Sequence, residues 1–456
     1  MSTQGGWMKT AKGVWQSESL RGRFARGAVW SLTGAVVAQG STLVGSIIAA
    51  RLLGRDQFGR YGMVQSTVGM LGIFAGLGLG LTATKFVAEY RLRDPERAGR
   101  IIALGSAVSL FSGGLLAVCL LLGAPLLATK TLSLPALATE LRIASILLFL
   151  NSLNGAQTGA LAGFEAFRTI ARINLARGVV ALPVTVGAVL LWHLDGAVAA
   201  LTISSGVCCV LSHIALRRYC GAHGIHPRFA SAWRERQILW RFSVPALLSG
   251  AMTGPAMWAA SAMLVNRSGG YAEMGIFSAA DQWRNAICFV PGVITQFALP
   301  LLSNLNGEGD LRRYAKTLRL NLSLTGIVAG LVAIPVALAA PYIMRLYGPS
   351  FQRGQTVLIL LAVTGVVGCI NGVIGTAILS AGSVWLDLCL TSMWAAVLLT
   401  SAHGFIPTHL AVGLAAAMLT ATAAHAVWQT IYVRFFFPAM KASSVSVPGA
   451  LREELR

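Results

Sequence analysis

The stretch ARLLGRDQFGRYGMVQSTVGMLGIFAGLGLGLTATKFVAEY, from Ala50 to Tyr90, decides how the rest of the chain is read. It carries the end of one apolar helix, a polar turn at Gly54–Gln57, and then a long apolar run. Arg51, Arg55, Asp56 and Arg60 gather at one end of that run, and Lys85, Glu89, Arg91 and Arg93 at the other. A helix rises about 1.5 Å per residue, so the uncharged span from Arg60 to Lys85 covers a hydrocarbon core of ~30 Å. The stretch is a membrane hairpin. Within it Gly72, Gly76 and Gly80 stand four apart, which predicts a face where another helix backbone approaches closely. Gly78, Gly80 and Ala83 also fit a dinucleotide fingerprint by letter, but no strand precedes them, which excludes it.

Composition agrees over the whole length. The chain is 55% hydrophobic and 11% charged, against roughly one-quarter charged residues in soluble domains. The first 26 residues hold Lys9, Lys12, Arg21, Arg23 and Arg26 with no apolar core among them, so they read as a short cytoplasmic tail rather than a cleaved signal. The seven cysteines (119, 208, 209, 220, 288, 369 and 389) form no CxxC and lie mostly in apolar segments. They read as small buried hydrophobes. The net charge of +20 reflects membrane topology, and no nucleic-acid partner is expected.

Apolar length gives an all-α membrane protein of about twelve spans, near 27–52, 58–84, 98–122, 138–162, 170–192, 196–216, 239–264, 273–300, 317–340, 355–381, 385–403 and 408–433. The expected organisation is a tail (1–26), an N-lobe of six spans (27–219), a basic linker (220–238), a C-lobe of six spans (239–437) and a second tail (438–456). The tails and the loops on their side hold 27 of the 36 Lys and Arg, and the opposite loops hold eight. By the positive-inside rule both termini are cytoplasmic.

The chain repeats itself. Gly59 and Tyr61 recur as Gly275 and Phe277, while Asp94, Arg97 and Arg100 recur as Asp310, Arg313 and Lys316. Asn154-Gly155 in span four recurs as Asn371-Gly372 in span ten. Six spans per copy insert in the same orientation, which predicts two six-helix bundles related by a parallel pseudo-twofold. Such repeats favour transport, because sites form where the halves meet.

ARLLGRDQFGRYG leading to GLGLGLTATKFVAEY resembles the opening of the polysaccharide-transporter branch of the multidrug/oligosaccharidyl-lipid/polysaccharide flippase superfamily. GIFSAADQW at 275–283 resembles that branch's second-half counterpart. The closest type is the Wzx oligosaccharide flippase of the bacterial inner membrane. The resemblance implies alternating access, with lipid-pyrophosphate-linked oligosaccharide of O-antigen or exopolysaccharide as cargo. It also implies a coupling ion and polysaccharide polymerase machinery as partners.

An ionisable group at membrane depth costs about 2.5–3.5 kcal/mol on insertion scales, so each is a candidate. Asp281 and Arg284 lie three apart in span eight and share a helix face. They either neutralise each other, or Arg284 faces a cavity and engages an anion through its planar fork. Arg177, inside span five, and Arg142, at the start of span four, either snorkel to the headgroups or line the cavity. Arg177 lies deeper. Gln39, Gln65, Asn151, Asn154, Gln157, Gln296 and Asn371 suit a sugar path. Asn154 and Asn371, placed alike in the two halves, serve equally well as interhelical hydrogen bonds. For coupling, Asp281 and the mid-span His425 are the candidates, ahead of His213 near a span end. Asp195 and Asp387 read as helix caps.

No spacing for a hydrolase, phosphate loop or metalloprotease appears, so no catalytic residue, metal or cofactor is expected. A drug-cation exporter of the same fold is the first rival and would call for an acidic cavity. A membrane-embedded glycan polymerase or ligase is the second and would call for a long outer loop.

Overall fold

The computed structural model describes residues 20–308, 311–380 and 384–436. The tails expected over 1–26 and 438–456 lie outside these residues except for 20–26, as do Asp310 and the side chain of Gln296. Among the described residues the secondary structure is helical. In order the helices are α1 (Leu20–Gly76), α2 (Leu79–Tyr90), α3 (Pro95–Leu126), α4 (Ala138–Gly163), α5 (Phe167–Ala222), α6 (Val244–Gly250), α7 (Thr253–Val265), α8 (Gly270–Glu308), α9 (Leu311–Leu338), α10 (Ala340–Tyr347), α11 (Gln355–Ser380) and α12 (Val384–Ile431).

Three helices are too long for one bilayer crossing. At 57, 56 and 48 residues, α1, α5 and α12 would each exceed ~70 Å if straight. Each is broken near its middle. In α1 the break is Gly54, at φ 71° and ψ 170°. In α5 it follows Trp192 at His193, and in α12 it is Leu410. Gly54 and His193 fall between two of the expected spans, and Leu410 falls just inside the expected start of the twelfth.

The breaks carry the repeat into the backbone. His193 has φ 46° and ψ −121°, and Leu410, 217 residues later, has φ 47° and ψ −119°. Gly196 follows the first break and faces the carbonyl of Ala188 across it. Gly413 follows the second and faces the carbonyl of Phe405. At both places a side chain would strike backbone, so glycine is required twice for one reason.

The chain forms two compact units, dividing between Leu247 and Leu248. In the first, α1 packs on α5, α5 on α4, and α4 on α2 and α3. Its core near one end joins Ala83, Val87, Ile102, Leu161, Phe164 and Leu216. In the second, α11 packs against α8, α9 and α12.

One expectation changes. Span two is not continuous: α1 ends at Gly76, Leu77 and Gly78 take φ 43° and 66°, and α2 sets off at a bend of 41°. The basic linker has contacts of its own. It packs on the first unit, with Ile225 in the core and the His226 carbonyl against Gly99, where a Cβ would lie 2.6 Å away. Ala232 packs on Ala103 and Leu104. Glu235 accepts from Arg97 Nε and Arg100 Nε, each at 3.2 Å. Arg97 also lies over the Tyr90 ring, 4.3 Å from its centroid. Beyond it, Ser243 Oγ and Thr82 Oγ1 are 2.7 Å apart, fastening the start of span seven to α2. Asp94 caps α3, accepting from the Arg97 backbone N–H at 2.9 Å.

Candidate functional site

The bend in span two opens a cavity of about 610 Å³ inside the first unit. Its walls come from α1, α2, α4 and α5, and its polar lining is Gln65, Asn151, Ser152, Arg177 and Ser205. The glycine series explains the space. Nothing lies within 4 Å of where a Cβ of Gly76 would sit, and at Gly72 only Leu148 comes within range, at 3.9 Å. These two positions wall the cavity instead of packing on a helix, contrary to the expected glycine face. Gly80 alone of the three is tightly packed: a Cβ there would lie 3.2 Å from the Gly155 carbonyl oxygen. Opposite it, any side chain on Gly159 would strike the backbone of Gly80.

The bend also supplies charge. Gly78, Leu79, Gly80 and Leu81 line the cavity, and α2 begins there without a side-chain cap. The first N–H groups of a helix have no partner within it and carry partial positive charge. Arg177 adds a full positive charge to the same space, and among the described residues no carboxylate pairs with it. Ser205, 2% exposed, has an Oγ with no hydrogen-bond partner among the described residues. Ser152 is already occupied, donating to the Ala75 carbonyl at 2.9 Å. Arg177, the start of α2 and Ser205 therefore set an electropositive, donor-bearing patch in an otherwise largely apolar cavity.

The other candidates fall elsewhere. Arg284 Nε is 2.5 Å from Asp281 Oδ1, Arg284 Nη2 donates to Asn285 Oδ1 at 2.9 Å, and Asn285 Nδ2 donates to Asp281 Oδ2 at 3.2 Å. This is a closed cluster on α8, with the arginine stem against Gly365 of α11. Asn154 Oδ1 accepts from Ser212 Oγ at 3.1 Å and Cys208 Sγ at 3.6 Å. Asn371 Nδ2 donates to the Thr422 carbonyl at 2.9 Å. Of the two roles considered for these asparagines, the geometry displays the interhelical bond. Gln157 stands against Cys209, Arg142 is exposed, and neither lines the cavity. His425 Nε2 is buried without a partner among the described residues, with its ring 5.8 Å from that of Trp428.

Two residues were missed. Ser205 gives no signal in a sequence where serines commonly bond their own helix. Asp387, taken for a cap, is 8% exposed and faces Gly375 of α11. Comparison of the halves would have singled it out, because Ile170 holds the matching place in the first.

The closed cluster on α8 gives a test. Arg284→Ala leaves Asp281 without its cation. Breaking a fully buried pair from one side costs about 3–5 kcal/mol. With 22% and 25% of these side chains exposed, about 1–3 kcal/mol is expected here. Thermal unfolding should show the single variant less stable than the double variant Asp281→Asn/Arg284→Gln. The reverse order would mean that the pair does not hold the helix.

A protein-family model described as "Polysaccharide biosynthesis protein" matches residues 24–306. The chain is 22% identical over 392 residues to the EPS I polysaccharide export inner membrane protein EpsE of Ralstonia nicotianae, covering 84% of this chain and 87% of that one. It is 23% identical over 419 residues to the EpsE protein of Ralstonia solanacearum, covering 86% and 91%. Among solved structures, an inward-facing multidrug resistance MATE family transporter of the MOP superfamily superposes with a TM-score of 0.73 at 18% identity, covering 91% and 99%. A MOP superfamily transporter from Pyrococcus furiosus gives 0.61 at 17% identity, covering 90% and 95%. These likenesses establish the fold.

Proposed function

We infer from one premise, that the chain belongs to the polysaccharide biosynthesis protein family, that it is a flippase for lipid-linked glycan. It is a multi-pass inner-membrane protein of polysaccharide transport, and no step of covalent chemistry is assigned to it. The cargo in this reading is an oligosaccharide repeat unit on polyprenyl pyrophosphate, carried from the cytoplasmic to the outer leaflet. Both termini lie in the cytoplasm, on the basic side of the membrane. The protein alternates access to the two leaflets while the lipid tail of the cargo stays in the bilayer.

The observation that carries this reading is the cavity around Arg177. Pyrophosphate suits a guanidinium, whose parallel N–H groups match two phosphate oxygens, and the uncapped start of α2 favours the same anion. Gln65 and Asn151 offer donors and acceptors to sugar hydroxyls. Arg284 has a secondary place, reaching cargo only by exchanging Asp281 for a phosphate oxygen. An electropositive cavity repels the cationic drugs that the first rival would carry.

A deletion strain tests the assignment. Lipid-linked repeat units should accumulate on the cytoplasmic leaflet, out of reach of periplasmic glycan-modifying reagents, with dye efflux unchanged. Loss of dye efflux with surface glycan intact would instead identify an exporter.

A further inference from the structure

The linker that clasps the first unit has a second copy in the sequence. Ala232-Trp233-Arg234-Glu235 closes on α3, and Ala450-Leu451-Arg452-Glu453 repeats its order and chemistry 218 residues on. The distance from the helix breaks agrees as well. Ala232 lies 39 residues past the break at His193, and Ala450 lies 40 past the break at Leu410. Residues 450–454 are outside the described ones, so the surface they would meet is read from α9.

In the first unit the clasp is held at two levels. Glu235 stands between Arg97 and Arg100, each Nε at 3.2 Å. One turn further along α3, Ala232 meets Ala103 and Leu104, which are 0% and 3% exposed. α9 carries the matching residues 216 positions later: Arg313 and Lys316 for the two arginines, Leu320 for Leu104 and Leu324 for Val108. Spacings of three and four set them along one side of the helix. Arg313 and Lys316 are exposed, and Leu320 and Leu324 are 59% and 45% exposed. The charges also change in step. Where the linker has Arg236 the later segment has Glu454, and where α3 has Ala103 the second unit has Arg319. Two adjacent carboxylates thus match a helix side edged by three cations. One part of the clasp is not repeated. A Cβ on Gly99 would lie 2.6 Å from the His226 carbonyl oxygen, and the counterpart of Gly99 is Ala315. The backbone before Ala450 therefore cannot come as close, which confines the contact to residues 450–454.

We propose that residues 450–454 dock on α9 and clasp the second unit, with Glu453 between Arg313 and Lys316 and Ala450 on Leu320. The occupant of this face is then a segment of the same chain, and nothing in the proposal depends on the flippase reading. Arg97 holds Glu235 and lies over the Tyr90 ring at once, so a cation at this place serves more than one partner. Lipid would cover the same face differently, with acyl chains on the leucines and phosphates on the cations. What favours the segment is the recurrence of the motif at the matching distance, with its carboxylates in register.

The test uses the purified full chain in phosphatidylcholine nanodiscs, whose headgroups carry no primary amine. A carbodiimide joins an amine to a carboxylate where the two touch, and mass spectrometry maps the products. The native chain should give an amide between Lys316 and Glu453 within one polypeptide. Lys316→Glu should lose it, and the double variant Lys316→Glu/Glu453→Lys should regain it with the roles exchanged. Hydrogen exchange supplies the second reading. The amides of residues 450–454 should exchange about tenfold more slowly in the native chain than in Arg313→Glu/Lys316→Glu. If that variant does not fold, Glu453→Lys provides the comparison. Equal exchange in native and charge-reversed chains would overturn the proposal. So would a cross-link found only between two polypeptides, which would give the face to a second copy. No cross-link, with exchange as fast as in a free peptide, would leave the face to lipid and overturn it too.

Discussion

Alanine at position 177 should reduce translocation of lipid-linked glycan by about 10- to 150-fold while leaving the protein folded. The estimate follows from the chemistry of the cavity. A hydrogen bond to a charged group contributes about 1.5–3 kcal/mol, and each 1.4 kcal/mol is about a factor of ten. Arg177 has no carboxylate partner among the described residues, so its removal strands no opposing charge and stability should hold. Arg177→Lys keeps the charge but not the planar fork, and should retain an intermediate rate. Translocation assays with purified protein, alongside unfolding curves, separate the two effects. Native rates in Arg177→Ala would remove the cavity from the mechanism.

The second large effect is on folding. Gly159→Ala should collapse the yield of monodisperse protein, because the added methyl group meets the backbone of Gly80, not a side chain that can turn aside. Overpacking typically costs about 1–3 kcal/mol, and a backbone obstacle belongs at the upper end. Gly76→Ala is the contrast, since its methyl group enters open cavity. Size-exclusion profiles should be normal for Gly76→Ala and aggregated for Gly159→Ala. Equal behaviour would mean that α2 and α4 can part without loss.

Span lengths and the duplication were legible in the sequence, because both rest on where charge is absent and where motifs recur. The breaks were not. Leu77, His193 and Leu410 all take positive φ, yet two of them are leucines in apolar surroundings, and nothing in their type announces a turn. The glycines misled for a related reason: spacing by four puts Gly72, Gly76 and Gly80 on one face, but only tertiary structure tells whether that face meets a helix or a void. Arg177 was legible as a deep cation, and Gln65 and Asn151 as polar residues in an apolar span. Asp387 was obscured by its place at a helix start, where aspartate is ordinary.

The connector between the halves has its own consequence for handling the protein. Glu235 between two arginines, Ala232 on α3 and Ser243 beside Thr82 make this segment the lid of the first half. A scissile site for expressing the halves as separate polypeptides therefore belongs past Ser243, near Ala251. Cleavage at Gly224 would strip the lid away and leave Ala103 and Leu104 bare to the aqueous phase.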